Sequence, residues 1–370
     1  MCVSLGGLPD NVDGMINPPP SKGLGTFKWL NLAQFLGALN DNLFKFFAIF
    51  LLINLWGEAA DTRITPMIGA LFALPFLLFV TLAGILADRW SKSAITIQMK
   101  LLEIVVMLVG LASLWLQLPW LVFTTCFLMS LQSALFSPAK YGLIPELVPA
   151  DKIPVANGHI QAFTYIAVIL GTILAPMISQ ATPDQTWIWG AVCVGIAVVG
   201  WLASRGIQHT PGAGNTRPVS LNPFGEIWRT VRAGREDRHI IVAMFAIGFF
   251  LLVGAYVQLN IIPYGREALG LSKEKSTLLF LFAALGIGAG SWLAGRLSPR
   301  NAELGIVPVG ATLMALGCIG LWLLPHFCAA PVSRYLACAL LFVLGLGGGL
   351  YMVPLEATIQ FRSPPERLGQ

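Results

Sequence analysis

The stretch LNLAQFLGALNDNLFKFFAIFLLINLW, residues 30–56, decides the reading of this chain. A helix that crosses a bilayer needs about 20 mostly apolar residues, and this run is longer than that. Near its middle stand Asn40, Asp41, Asn42 and Lys45. A carboxylate or an ammonium at that depth costs on the order of a few kcal/mol unless it faces a cavity or an opposite charge. Asp41 and Lys45 are spaced i,i+4, so on a helix they share a face and can pair. Two readings follow: a polar site in a transport pathway, or a self-neutralised pair that fixes helix packing. Charge within a span points first to the pathway.

The rest of the chain agrees with a membrane setting. Its 370 residues are 56% hydrophobic and 11% charged, whereas soluble domains carry about 25% charged residues. The net charge of +5 is no sign of nucleic-acid binding, because the basic residues lie mostly between the apolar runs. The six cysteines (Cys2, Cys126, Cys193, Cys318, Cys328, Cys338) are scattered, with no CxxC or Cys/His metal spacing, and read as core fillers. No cofactor is expected. Residues 1–27 are turn-rich and lack the basic-then-apolar pattern of a signal peptide, which predicts a cytoplasmic tail.

Hydrophobic runs predict ten spans, at about 28–56, 64–87, 94–116, 120–138, 157–179, 186–205, 239–262, 276–297, 303–324 and 333–355. Runs of this length in lipid are helices, which satisfy their own backbone groups. Most of the 23 Lys and Arg residues then fall on one side, among them Lys22, Lys28, Arg89, Lys92, Lys100, Lys140, Lys152 and Arg205. The other side holds Arg63, Arg266, Lys273, Lys275 and Arg334. Basic loops stay cytoplasmic, so both termini are expected inside, in a multi-pass protein of the cell inner membrane. Residues 206–238 form the longest loop, dividing a six-span half (28–205) from a second half (239–370). After Asn222-Pro223 the loop is basic and amphipathic, with Phe224, Ile227, Trp228 and Val231 on one side and Arg229, Arg232, Arg235 and Arg238 on the other. That pattern predicts a helix on the inner membrane surface.

The halves echo one another. Span two leaves the membrane through Ala87-Asp88-Arg89-Trp90-Ser91-Lys92, and span eight through Ala294-Gly295-Arg296-Leu297-Ser298. Span four ends Ser137-Pro138-Ala139-Lys140 and span ten Val353-Pro354-Leu355-Glu356. Two matches in the same order suggest a parallel repeat. Gly84-x-x-x-Asp88-Arg89-x-x-Lys92, between spans two and three, resembles the signature loop of the major facilitator superfamily, with Ser91 where that pattern has glycine. The implied fold is an all-α polytopic membrane protein, a two-half helical bundle of which ten of twelve spans are present. That shortfall reads as truncation. Asp88 at a helix C-terminus is unfavourable alone, which makes Gly84, Asp88, Arg89 and Lys92 a candidate conformational latch. Gly286-x-Gly288-x-Gly290 and Gly345-x-Gly347-Gly348-Gly349 read as packing devices. Gly171-x-x-x-Ala175-Pro176 resembles the superfamily's span-five kink motif loosely.

Three segments resemble bacterial lysophospholipid transporters of that superfamily. They are Ala33-Gln34-Phe35-Leu36 with Asn40-Asp41-Asn42; Ser137-Pro138-Ala139-Lys140-Tyr141-Gly142 with Glu146 and Ala156-Asn157-Gly158; and Gly347-Gly348 with Val353-Pro354-Leu355 and Gln360. Some relatives fuse the transporter to acyltransferase and acyl-carrier-protein ligase domains, which are not present here. The resemblance implies movement of lysophospholipids from the outer to the inner leaflet by alternating access, with reacylation by a partner enzyme. The substrate-binding candidates are Asn40, Asp41, Asn42, Lys45, Lys140, Tyr141, Asn157, Gln258 and Glu356, with His159, Gln161, Asn260 and Gln360 beside them. Asp41 would meet an ammonium and Lys45 a phosphate. Phe44, Phe46 and Phe47 read as packing. Two alternatives stand: a drug or metabolite transporter with Asp41 as a proton-coupling carboxylate, or a membrane scaffold without transport. An enzyme is disfavoured, because the sequence shows no nucleophile elbow, no metal cluster and no His-x-x-x-x-Asp.

Overall fold

The computed structural model describes residues 25–57, 60–212, 225, 228, 231–232, 237–298, 303–327 and 330–363. Among these, ten helices are long and apolar enough to cross a membrane. They are α1 (Phe27–Trp56), α2 (Asp61–Arg89), α3 (Lys92–Trp115), α4 (Pro119–Leu147), α5 (Ile153–Ala181), α6 (Thr186–Ser204), α7 (Arg238–Glu267), α8 (Lys273–Leu297), α9 (Ile306–Phe327) and α10 (Ala330–Arg362). A 30-residue helix such as α1 is about 45 Å long at 1.5 Å per residue, enough to cross the hydrocarbon and the headgroups. Successive helices alternate in direction. One end of the bundle therefore carries Lys28, Arg89, Lys92, Lys152, Arg205, Arg238, Arg296 and Arg362, and is called the basic face below.

The helix bounds differ most from the predicted spans at two prolines. Span four was expected to end at Pro138 and span ten just past Pro354, since proline lacks the amide proton that continues a helix. Instead α4 runs through Pro138 and Pro145 to Leu147, and α10 runs through Pro354 to Arg362. Burial explains the continuation: Leu143, Ile144 and Leu147 on α4 and Ala357 on α10 join one apolar cluster with Phe27, Leu30 and Ile160. Burying side chains of this size contributes about 1.5–3 kcal/mol each, which offsets the hydrogen bond lost at each proline. Lys140, Tyr141, Glu356 and Gln360 thus stand on helices rather than in the loops beyond them.

In the first half, α1 lies against α5 and α6, α2 against α4, and α3 against α4 and α6. Its core holds Phe44, Phe47, Met107, Cys126, Trp189 and Cys193, with Phe47 stacked on Trp189 at 5.3 Å. In the second half α10 is central, flanked by α7, α8 and α9. The glycine runs serve backbone contact, as expected: a β-carbon on Gly347 would lie 2.6 Å from the carbonyl oxygen of Gly310 on α9, and one on Gly286 would collide with the backbone of Phe342. Gly171 admits α1, since a β-carbon there would sit 2.7 Å from Cβ of Asn42. The halves meet chiefly where α5 touches α8 and α10.

Of the signature-loop residues, Lys92 makes an ion pair within the first half. Asp88 is fully buried, Gly84 is buried and Arg89 is exposed. Lys92 is fully buried and pairs with Glu146 of α4 at 2.6 Å. Ser91, which replaces the family's glycine, caps α3 by accepting the Ala94 amide at 3.2 Å, a contact worth about 1 kcal/mol. The segment after α6 folds back over this turn. Ile207 is buried, and the Thr210 amide donates to Ser93 Oγ at 2.9 Å. Of the amphipathic segment after Pro223, Gly225, Trp228, Val231 and Arg232 are described and helical, with Trp228 exposed. The remainder of that segment, and the tail at 1–24, lie outside the described residues.

Candidate functional site between the two halves

The polar residues near the middle of α1 are divided between two neighbouring helices and α1 itself. Asn40 is fully buried and donates from Nδ2 to Glu103 Oε1 on α3 at 3.0 Å. Asp41 accepts at Oδ2 from Ser133 Oγ on α4 at 2.8 Å. Asn42 donates to the Ala38 carbonyl at 2.8 Å, which leaves its Oδ1 to accept from Lys45 Nζ at 3.1 Å. The expected Asp41–Lys45 ion pair is therefore not made. Each charge has a neutral partner closer in the sequence register or across the helix packing, and the two side chains point to different neighbours. Asp41, Asn42 and Lys45 are each partly exposed, so they face open space rather than a sealed core.

Lys140, on α4, like Lys45, makes no ion pair among the described residues, and unlike Lys45 it has no hydrogen-bond acceptor among them. It is buried, with its ammonium 4.4 Å from the ring centroid of Tyr141. The carboxylates of Glu356 and Asp41 act on it electrostatically, without a hydrogen bond. Glu356 comes from the other half. It accepts at Oε1 from Gln161 Nε2 at 2.9 Å, and its Oε2 is buried without a hydrogen-bond partner. Gln161 also donates to Tyr141 Oη at 3.2 Å. One turn closer to the basic face, Asn157 and Gln360 exchange amide bonds of 2.8 and 3.1 Å.

These contacts form an antiparallel ladder of two rungs, Asn157–Gln360 and Gln161–Glu356, across the two halves. Gly158 brings the backbones together beside it: a β-carbon there would lie 2.5 Å from the Ser291 carbonyl oxygen and 3.3 Å from Gly295 Cα. Ala357 and Phe361 of α10 extend the seal by packing into the first half's apolar cluster at that end. Just inside the ladder is a cavity of about 210 Å3, lined by Tyr141, Gln161, Tyr165 and Ser291 on its polar side and by Phe250, Ile287 and Met352 on its apolar side. The Ser291 hydroxyl is buried there without a partner. The cavity itself offers amides and hydroxyls against an apolar wall, and Lys140 and Glu356 adjoin it through Tyr141 and Gln161.

Three sequence candidates stay apart from this cluster. Gln258 is exposed on α7, and Asn260 bonds to its own helix at the Tyr256 carbonyl, 2.8 Å away. His159 lies on the far side of α5, beside Trp292 in a second, almost wholly apolar cavity of about 300 Å3 between α5 and α8. Several residues of the site were missed from the sequence: Glu103, Ser133, Tyr165 and Ser291. Lys100 was counted with the basic loops and span ends, yet it is buried within α3 and paired with Glu103 at 2.7 Å. A Lys and a Glu at i,i+3 inside a predicted span were the signal. Among the described residues, no group of His, Cys, Asp and Glu could hold a metal ion.

A family model described as the Major Facilitator Superfamily matches residues 30–370. The chain belongs to that superfamily and is a multi-pass membrane transporter. Within it, the chain is similar to proteins named lysophospholipid transporter LplT. That of Salmonella typhimurium is 26% identical over 338 residues, covering 90% of this chain and 78% of its own length. That of Salmonella gallinarum is 27% identical over 343 residues with the same coverage, 90% and 78%. Among solved structures, an outward-facing bacterial homologue of the iron transporter ferroportin superposes with a TM-score of 0.69 at 14% identity, covering 93% of this chain and 86% of that one. The superfamily transporter FucP in its outward conformation gives 0.62 at 16% identity, covering 90% and 88%. At such identities the likeness concerns the fold.

Proposed function

We propose that this chain moves lysophospholipids across the cytoplasmic membrane, from the outer to the inner leaflet, by alternating access between its two halves. The observation that carries this reading is Lys140, a buried ammonium with no ion pair among the described residues, held over the ring of Tyr141, which lines a cavity with one apolar wall. An isolated buried charge costs several kcal/mol, which a phosphate arriving with the substrate would offset. Asp41 and Glu356 would meet an ammonium on the same head group. Lys45, held by Asn42, is the lesser cation here, so the phosphate role passes to Lys140. The names of the similar LplT proteins point to the same substrate class.

The basic face is read as cytoplasmic, by the excess of Lys and Arg at that end. Both termini then lie in the cytoplasm. The ladder, Gly158 and the Phe361 cluster close that face, so the conformation would receive substrate from the outer leaflet. The product would be delivered inside, for reacylation by a separate acyltransferase. Reconstitution into liposomes tests the proposal. Labelled lysophosphatidylethanolamine placed in the outer leaflet should become protected from an external quencher at a rate set by the protein. Movement of a hydrophilic solute under a pH gradient, with no lysolipid movement, would sink the proposal.

A further inference from the structure

Asn40 and Asp41 are neighbours in sequence but are held from different sides. Asn40 is tied to Glu103 of α3, whose other oxygen takes the Lys100 ammonium at 2.7 Å, and neither charged side chain is more than 2% exposed. The Lys100 ammonium sits directly against Gly37 of α1, where any β-carbon would collide with it, and 3.9 Å from where a β-carbon on Gly200 of α6 would stand. It also lies 5.4 Å from the ring centroid of Phe136 on α4. From the other side, Ser133 of α4 holds Asp41, and its neighbour Gln132 donates to the Met99 carbonyl of α3 at 3.1 Å. Thus α3 grips α1 through Glu103 and α4 through Met99, and α4 in turn grips α1 through Ser133. Successive residues on a helix are turned by about 100°. Bonds to both Asn40 and Asp41 therefore fix the rotation of α1 about its axis as well as its depth.

Stability gives this pair little reason to exist. Replacing a buried ion pair by apolar side chains of similar volume is often neutral or favourable. Here the network also leaves Asn40 Oδ1 buried without a partner. What the pair supplies is direction: it is a fixed acceptor at one height and one azimuth in an otherwise apolar interface. We infer that Glu103, with Lys100 as its counter-ion, is a positioning residue that sets the rotation of α1 and so turns Asp41 and Asn42 toward the cleft between the halves. The inference rests on the assignment of Asp41 to the substrate path.

The test uses two variants, K100M/E103M, which removes both charges together, and N40L, which releases α1 alone. In the full chain with its native cysteines replaced, a single cysteine is placed at Asn42, and its reaction with a hydrophilic maleimide is timed on purified protein. Positioning predicts a rate changed by about tenfold in both variants, the scale of coupling expected between residues of one network. If the double variant does not fold, N40L carries the measurement alone, and an unchanged rate overturns the inference. Lysolipid transport is then measured with and without D41N. Losses from N40L and D41N that fail to add support positioning, and losses that add independently overturn it. The thiol measurement needs no substrate. A changed rate in a protein that moves no lysolipid counts against the transport reading alone. An unchanged rate in an active transporter counts against the positioning role alone.

Discussion

Two lysines show what decides a charged residue's role in an apolar bundle. Lys45 has a hydrogen-bond acceptor in Asn42 at 3.1 Å, whereas Lys140 has an aromatic ring and two carboxylates at a distance. K140M should therefore lower lysolipid transport at saturating substrate by at least about tenfold with insertion retained, since a charge met only by the ligand is worth about 1.5–3 kcal/mol per charged hydrogen bond. K45M should cost less than about threefold. Side-by-side initial rates in liposomes check both. Asp41 and Lys45 were legible because charge stands out in a run of leucine and phenylalanine. Glu103 was not, although the predicted span 94–116 held it with Lys100: Lys100 was counted among the basic span ends, and what the pair grips shows only in the packing. Outside the membrane, Asp237 caps α7 and accepts from Arg362 Nη1 at 2.7 Å and from the His239 amide at 2.8 Å. Desolvation pushes its carboxyl up, but the bonds from Arg362 and His239 outweigh that and hold it at about 2, below the usual 3.8. A carboxyl lowered on folding contributes stability above its unfolded value and loses it as pH falls toward the folded one. Thermal unfolding of wild type and D237N should accordingly differ at neutral pH and converge between pH 3.8 and about 2.

At the scale of elements, the number and order of the helices could be read from hydrophobic runs alone, and the ends of α4 and α10 could not. A proline in sequence marks a missing backbone donor; whether the helix stops there depends on what its next turns bury. Here they bury into a shared cluster, so both helices continue and carry Lys140, Tyr141, Glu356 and Gln360 into the interface. The contact between α5 and α8 depends on Gly158 and Gly295, where backbones touch. G158V would force these helices apart at the basic face without disturbing either half's own core. Its expected outcome is a protein that inserts normally but favours opening at that face, seen as faster labelling of a cysteine placed at Ser298, which is buried there, and a slower transport cycle. An unchanged labelling rate would mean that the contact does not hold the face shut.

For the whole molecule, the superfamily was legible in the loop that follows α2, and so was the basic face. The seam between the halves was not, because Asn157, Gln161, Glu356 and Gln360 lie about 200 residues apart in pairs and nothing local links them. Long-range pairs of this kind leave no periodic trace. A disulfide between cysteines at Asn157 and Gln360 should form readily in this conformation. It should stop transport, and reduction should restore it. Transport that continues with the bridge intact would show that the seam need not part.

The ladder carries one more consequence, which concerns register. Its rungs are spaced by four residues on α5 and by four on α10, and the helices run in opposite directions. A slide of α10 along α5 by one turn, about 5.4 Å, would bring Gln360 opposite Gln161, or Glu356 opposite Asn157. Either slide exchanges partners and strands fewer polar groups than outright separation. The seam would thus be notched: a slide of one turn would re-form one rung at the expense of the other, where outright separation would lose both.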